Sequence, residues 1–254
     1  MRARFSSIRI LLLICVLSFL ATVLSTIAEG DLIARLSFDG DLSVEGGSFQ
    51  AAIENNPIFA SFLSPRSGVD DQVLHLAKNS LEAQADPYVT VTGFSDLVSE
   101  VSFSFWARAH SFKDNSSGNG LFGLSTDSDQ TGGVHRLHLN QEGTLQAVLL
   151  VNESNEVNFI TEKPVLPLQD NDWFHIAYSY LAKAARLQVA VNARLVIDQP
   201  ESQEFVHIGK AVLTIGAHAT APSFIGHFDD FRVYGKQLNM DEVQSIIDEH
   251  ATYT

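Results

Sequence analysis

One stretch of the chain carries residue types that suit the binding of a polar ligand. Residues 101–109 alternate in polarity, as expected for a strand with one buried face. Trp106, Arg108 and His110 fall on the face opposite the phenylalanines. Aromatic rings can stack on sugar faces, and arginine and histidine can hydrogen-bond hydroxyl groups. The pattern predicts a ligand-binding role for these three residues; the alternative is that Trp106 belongs to the core.

The spacing of the acidic residues argues against an enzyme. Retaining glycoside hydrolysis needs two carboxyl groups about 5–5.5 Å apart, which two acidic residues at same-face spacing on one strand would supply. Glu153 and Glu156 have odd spacing in a polar turn, and residues 201–204 follow Pro200 in a predicted loop. Residues 118–123 match G-x-G-x-x-G but open no helix, so they do not predict a dinucleotide site. We predict a non-enzymatic protein, with a glycan hydrolase as an alternative.

The overall composition limits the class of partner. The 254 residues include 16 lysines and arginines against 30 aspartates and glutamates, which gives a net charge of −14 at pH 7. An acidic chain lacks the basic surface that replaces counterions on nucleic acid or binds an anionic membrane. Apolar residues make up 45% of the chain, enough for a hydrophobic core.

The first 28 residues have the layout of a secretory signal peptide. Three arginines among the first nine residues precede an uncharged, leucine-rich run over 10–23, and the small residues of 26–28 suit a signal peptidase. We therefore predict a signal peptide at 1–28 and a secreted, extracellular protein, or a periplasmic one in a Gram-negative host. The alternative is a retained anchor, the one case in which a membrane would be a partner. The only cysteine, Cys15, lies in this segment, so the remaining chain is predicted to have no disulfide.

The rest of the chain reads as a series of short strands with one helix. Asn, Asp, Ser and Gly clusters separate the strand-like runs, a pattern typical of an all-β sandwich. Asn239 and Glu242 form a capping-box pattern that predicts a short C-terminal helix. No linker or repeat divides the chain, so we predict one domain over 30–250. The predicted strands are 32–38, 73–76, 88–92, 101–109, 134–139, 145–151, 173–180, 186–191, 211–215 and 228–234.

Five motifs in order resemble the laminin-G-like, concanavalin A-like jelly-roll family. The family patterns are an opening F-D-G turn, a strand ending in Trp, a W-H-H-V-A strand, a G-x-I-D-D-V-R-I-Y strand and a closing A-L-S-x-x-E. Two positions depart from them, since Asn192-Ala193 replaces the family's D-G hairpin and Phe174 replaces a histidine. The resemblance implies two antiparallel sheets packed face to face, with a short C-terminal helix. The matching segments are 36–40, 102–106, 172–180, 226–234 and 238–242.

The resemblance also implies a structural calcium ion where the first and last strands meet. The matching positions are Asp39 and Asp41 near the first turn and Asp229 and Asp230 on the last strand. Calcium takes six to eight oxygen ligands, which carboxylates supply. The alternative is that these aspartates cap turns or pair with arginines. Residues 127–130 form a second acidic loop, whose simpler interpretation is a solvated turn.

Together these observations predict a secreted, non-enzymatic binding module with a calcium ion. The predicted partner is an extracellular glycan or protein. The alternative is a structural or adhesion component without a small-molecule site. Fold alone does not decide between them.

Overall fold

A computed structural model describes most of the chain beyond the predicted leader. The described residues are 31–54, 58–63, 70–76, 87–95, 100–109, 119–126, 134–140, 142–152, 155–165, 172–200, 210–217 and 224–251. The chain divides by compactness into two units, Met1–Leu32 and Ile33–Thr254. The predicted boundaries at 1–28 and 30–250 stay predictions. Among the described residues, no helix combines the length and hydropathy that crossing a bilayer requires.

Two antiparallel sheets form the body of the protein. The first has the order β13-β12-β11-β6-β15-β4-β3, with β1 also paired to β15. Because β1 and β15 are the first and last strands, the two ends of the fold are joined in the same sheet. Its strands are β1 (Leu32–Leu36), β3 (Ile58–Leu63), β4 (Asp70–Leu76), β6 (Glu100–Ala109), β11 (Phe174–Leu181), β12 (Arg186–Val191), β13 (Arg194–Pro200) and β15 (Gly226–Tyr234).

The second sheet has seven strands in the order β10-β9-β8-β7-β14-β5-β2. Strands β7 to β10 are consecutive along the chain, whereas β14, β5 and β2 come from other parts of the sequence, so several connections cross between the two sheets. The prediction of an all-β, two-sheet antiparallel jelly roll is confirmed. The strands of this sheet are β2 (Gln50–Glu54), β5 (Tyr88–Ser95), β7 (Asn119–Thr126), β8 (His135–Leu139), β9 (Leu145–Asn152), β10 (Asn155–Ile160) and β14 (Lys210–Ile215).

The core lies between the sheets and is rich in aromatic side chains. Phe105 and Phe231 stack with ring centroids 5.0 Å apart, and Phe122 meets Tyr178 edge-on at 5.2 Å. Such contacts stabilise a core beyond the area that they bury. The core also contains His135, whose Nδ1 lies 2.8 Å from the Tyr178 hydroxyl oxygen. Burial lowers the pKa of His135 to about 3, so this imidazole is neutral in the folded protein.

The predicted C-terminal helix is present and begins as its sequence indicates. Helix α1 spans Met240–Ala251. The Glu242 backbone N–H donates to Asn239 Oδ1 at 3.0 Å, and the Asn239 N–H donates to Glu242 Oε2 at 2.8 Å. This reciprocal pair is the predicted capping box. Val243 and Ile246 are buried, as the apolar stripe of the helix requires.

The β12–β13 hairpin forms a tight turn without the glycine of the family pattern. Asn192 and Ala193 have φ values of 49° and 57°, so both lie in the left-handed region of a type I′ turn. Asparagine tolerates this conformation, but alanine does so at a cost. The backbone of Asn192 is fixed by a hydrogen bond from its N–H to the His175 carbonyl at 2.9 Å.

Candidate functional site

The face of the eight-stranded sheet turned away from the core carries an unusual set of side chains. On β6, Phe103, Phe105 and Ala107 belong to the core, so the alternate residues Trp106 and Arg108 lie on the outer face. Strand pairing brings residues of three other strands beside them. Trp106 is opposite His175 and Asp229, Arg108 is opposite His227, and His227 is opposite His75.

One end of this outer face is covered. The Ser102 hydroxyl donates to the Lys236 carbonyl at 2.6 Å and accepts from the Leu238 N–H at 3.1 Å. Arg232 forms an ion pair with Glu249 of helix α1, with Nη1 and Oε2 2.8 Å apart. The chain after β15 thus covers the end of the face that carries Ser102. Trp106 and Arg108, farther along β6, are only partly buried.

We call the less covered end of the outer face the tryptophan face. Both tryptophans of the chain belong to it. The Trp173 ring lies 6.1 Å from the ring of His227, which is the β15 residue opposite Arg108. Trp106 packs edge-on against His175, with ring centroids 5.2 Å apart. The residues of the tryptophan face are Trp106, Arg108, Trp173, His175, His227 and His75.

Hydrogen bonds fix His175 on the tryptophan face, and burial changes the pKa of Arg108. His175 Nε2 lies 2.8 Å from Ser104 Oγ, and the His175 backbone N–H donates to Asn192 Oδ1 at 2.8 Å. These bonds fix the position of the His175 imidazole, against which the Trp106 ring packs. Burial lowers the pKa of Arg108, and the negative charge of Asp172 partly opposes this shift. Two tryptophan surfaces beside a partly exposed guanidinium are the groups that a carbohydrate site needs.

Sequence reasoning found two members of this face and missed four. Trp106 and Arg108 lie on the predicted face of β6, and Trp106 is outside the core. His110 lies outside the described residues, so its predicted role stays a prediction. Trp173, His175, His227 and His75 were missed because only strand pairing brings their strands to β6. The alternation within the 172–180 and 226–234 motifs was the available signal for three of them.

The predicted calcium ligand Asp230 is engaged by arginines. Its Oδ1 accepts from Arg35 Nε at 2.6 Å, and its Oδ2 accepts from Arg232 Nε at 2.9 Å. Burial alone would lower the pKa of Arg232, but the charge of Asp230 raises it. Asp230 has φ 46° at a bulge in β15, which places its carboxylate between the two guanidinium groups. A carboxylate neutralised by two cations does not fit a calcium ligand.

The other predicted ligands do not complete a metal site with Asp230. Asp39 is exposed, Asp229 is buried, and Asp41 Oδ1 accepts from the Ser43 backbone N–H at 2.8 Å. A hydrogen bond from the Ser43 side chain, together with this backbone bond, lowers the pKa of Asp41. Within the described ranges, no three acidic, histidine or cysteine side chains come together to hold an ion. The predicted calcium ion where the first and last strands meet stays a prediction.

A separate groove lies between the open edges of the two sheets. It has a volume of about 1020 Å³ and is lined by residues of β10, β13 and the chain after β10. Ile160 on β10 is 56% exposed beside it. The groove lacks the tryptophans and histidines of the tryptophan face. It is therefore a suitable control surface for experiments on that face.

The described strands form a two-sheet antiparallel β-sandwich in which one sheet has an aromatic outer face. The family model of the concanavalin A-like lectin/glucanases superfamily matches residues 83–244, more than half of the chain. The chain therefore belongs to this superfamily of laminin-G-like jelly-roll domains, as the five motifs predicted. A sequence search of curated proteins gives no match.

Two solved structures with the same fold come from botulinum neurotoxins. The chain is 14% identical to the binding domain of botulinum neurotoxin DC in complex with rat synaptotagmin II, with a TM-score of 0.67, covering 88% of this chain and 52% of that one. A structure of botulinum neurotoxin type C, whose cell entry depends on two ganglioside molecules, gives 14% identity and a TM-score of 0.66, covering 89% and 52%. The chain thus spans about half the length of these toxin chains.

A third structure matches over nearly its whole length. Domain 4 of an extracellular arabinanase from Geobacillus stearothermophilus, in complex with arabinotriose, is 18% identical, with a TM-score of 0.60. The match covers 85% of this chain and 98% of that domain. Identities this low establish a shared fold alone.

Proposed function

We propose that the protein is an exported, non-enzymatic module that binds an extracellular carbohydrate on the tryptophan face. The observation that carries the proposal is the placement of both tryptophans beside Arg108 at the less covered end of one sheet. Tryptophan rings offer flat apolar surface to a sugar ring, and the partly exposed guanidinium of Arg108 carries N–H groups that can donate to its hydroxyl oxygens. Export rests on the signal-peptide pattern of 1–28.

The position of the face in the fold supports binding rather than a purely structural role. Aromatic side chains that serve only to stabilise a fold are normally buried in the core. Here the core has its own phenylalanines, whereas Trp106 and Trp173 are half-buried on the opposite side of the sheet. The Trp106 ring packs against His175, and His175 is hydrogen-bonded to Ser104. These contacts pre-organise the Trp106 ring for a ligand.

The acidic residues of β15 give no support to a hydrolytic role. The two acidic residues of β15 are Asp229, which is buried, and Asp230, which is bound by two arginines. Retaining hydrolysis needs two functional carboxyl groups about 5–5.5 Å apart at the sugar. We expect no release of reducing ends when the protein is incubated with β-glucans, which a reducing-sugar assay measures.

A glycan array followed by calorimetric titration tests the proposal. We expect binding of at least one glycan class, and a loss of at least tenfold in affinity, about 1.4 kcal/mol, for Trp106→Ala. Ile160→Ala is the matched control, because it also removes a large exposed apolar side chain but lies at the edge groove. Circular dichroism of each variant confirms folding.

Three outcomes would contradict the proposal. An array without bound glycans would remove the carbohydrate ligand, and binding of a protein partner instead would favour the alternative class of ligand. Unchanged glycan affinity in Trp106→Ala with reduced affinity in Ile160→Ala would move the site to the edge groove.

A further inference from the structure

Two histidines meet at the β4 end of the tryptophan face. His75 on β4 and His227 on β15 are directly opposite each other in the strand register. Nδ1 of His75 lies 2.9 Å from Nε2 of His227, the ring centroids are 4.6 Å apart, and the ring planes are inclined by 43°. One ring nitrogen of each histidine is therefore directed at the other residue.

The geometry of this pair matches two neighbouring ligands of one metal ion. The ring centroids are only 4.6 Å apart, which is too close for both rings to point straight along the line between the two nitrogens. The rings are therefore inclined to that line. Metal–nitrogen bonds of about 2.0–2.1 Å place nitrogens at neighbouring coordination positions about 2.9–3.3 Å apart. The observed separation falls in that range, so an ion can replace the shared proton with little movement of either ring.

The ligand type selects the class of metal. Imidazole nitrogen suits zinc, copper and nickel ions, whereas calcium prefers oxygen ligands. Burial lowers the pKa of His75, which keeps its imidazole neutral and able to coordinate at pH 7. The pair is thus distinct from the predicted calcium positions.

The charged groups around the pair determine whether a cation is tolerated. Arg108 on β6 is opposite His227 and disfavours a cation. Asp229 lies two residues beyond His227 on the same face of β15, and its buried carboxylate favours one. Asp172, before β11, acts on Arg108 and offsets part of its charge. On β3, the residue opposite His75 is Ile58, which carries no charge.

We propose that His75 and His227 form a two-histidine binding site for a divalent transition-metal ion. The remaining coordination positions are filled by water or by a ligand on the tryptophan face. The proposal does not depend on carbohydrate binding, since it rests on the contact between the two histidines.

Metal titration of the untagged protein tests this site. We expect calorimetry to show one Cu²⁺ or Zn²⁺ ion bound per chain at the pair, with Cu²⁺ tighter than Zn²⁺. His75→Gln and His227→Gln should each weaken this binding at least tenfold. His138→Gln is the matched control, because His138 lies on β8 of the other sheet. We expect it to bind the metal as the unaltered protein does.

A second measurement uses the unaltered protein and so does not depend on the folding of a variant. Zinc should shift the ¹⁵N resonances of His75 Nδ1 and His227 Nε2 and leave those of buried His135 unchanged. Absence of metal binding, binding by both glutamine variants as tight as that of the unaltered protein, or zinc-induced shifts only at other histidines would each overturn the proposal.

Discussion

Acidification should destabilise the fold through a histidine buried in its core. His135 is 4% exposed, and its pKa is about 3 in the folded protein, against about 6.5 in an unfolded chain. Between these two values the unfolded state binds more protons than the folded state. The stabilisation is therefore complete above about pH 6.5 and is lost as the pH falls toward 3.

The size of the effect follows from the difference in pKa. Each pH unit below the unfolded pKa costs about 1.4 kcal/mol, so lowering the pH from 7 to 5 should cost about 2 kcal/mol through His135. His138, whose pKa burial and Arg136 lower to about 4, should contribute a loss of similar size. The sum is a large share of the stability of an ordinary domain.

Urea unfolding at pH 7 and pH 5 measures the effect. In His135→Gln the side chain can still hydrogen-bond the Tyr178 hydroxyl but cannot titrate. We expect this variant to lose about 2 kcal/mol less than the unaltered protein between the two pH values, whatever its stability at pH 7. Equal losses in the two proteins would refute the assignment of the pH dependence to His135.

Three further predictions concern the turn, the ion pair and the metal. Ala193→Gly should stabilise the protein by about 0.5–1 kcal/mol, seen as a higher Tm, because glycine adopts the left-handed turn conformation without strain. Asp230→Asn should destabilise it by about 3 kcal/mol in urea unfolding, since asparagine keeps the backbone conformation but removes the buried carboxylate that pairs with Arg35 and Arg232. If calcium binds where the first and last strands meet, chelation should lower the Tm, and an unchanged Tm would exclude that ion.

The sequence predicted the fold because alternation in the central strands is strong. All ten predicted runs fall on strands, and the capping box at Asn239 marked the start of the helix. The strands that were missed, β2, β3, β7, β10 and β13, include the edge strands of both sheets, where one side of the strand has no neighbour to bury it. In β7, Gly120 and Gly123 weaken the strand pattern further.

The candidate site was predicted only where one strand carried it. Alternation within β6 placed Trp106 and Arg108 together, but no local pattern showed that His227 and His75 would join them. The role of Asp230 was equally hidden, because its partner Arg35 lies 195 residues away and the bulge in β15 turns its carboxylate toward that arginine. Strand register and bulges are set by the packing of the whole sheet, which local sequence does not encode.

Tryptophan fluorescence gives the most direct test of binding on the tryptophan face. The chain has only two tryptophans, Trp106 and Trp173, so all of its tryptophan emission comes from this face. Titration with a glycan identified on the array should shift or quench this emission, with the same affinity that calorimetry gives. Calorimetric binding of the glycan with no change in tryptophan emission would place the ligand elsewhere and contradict the account.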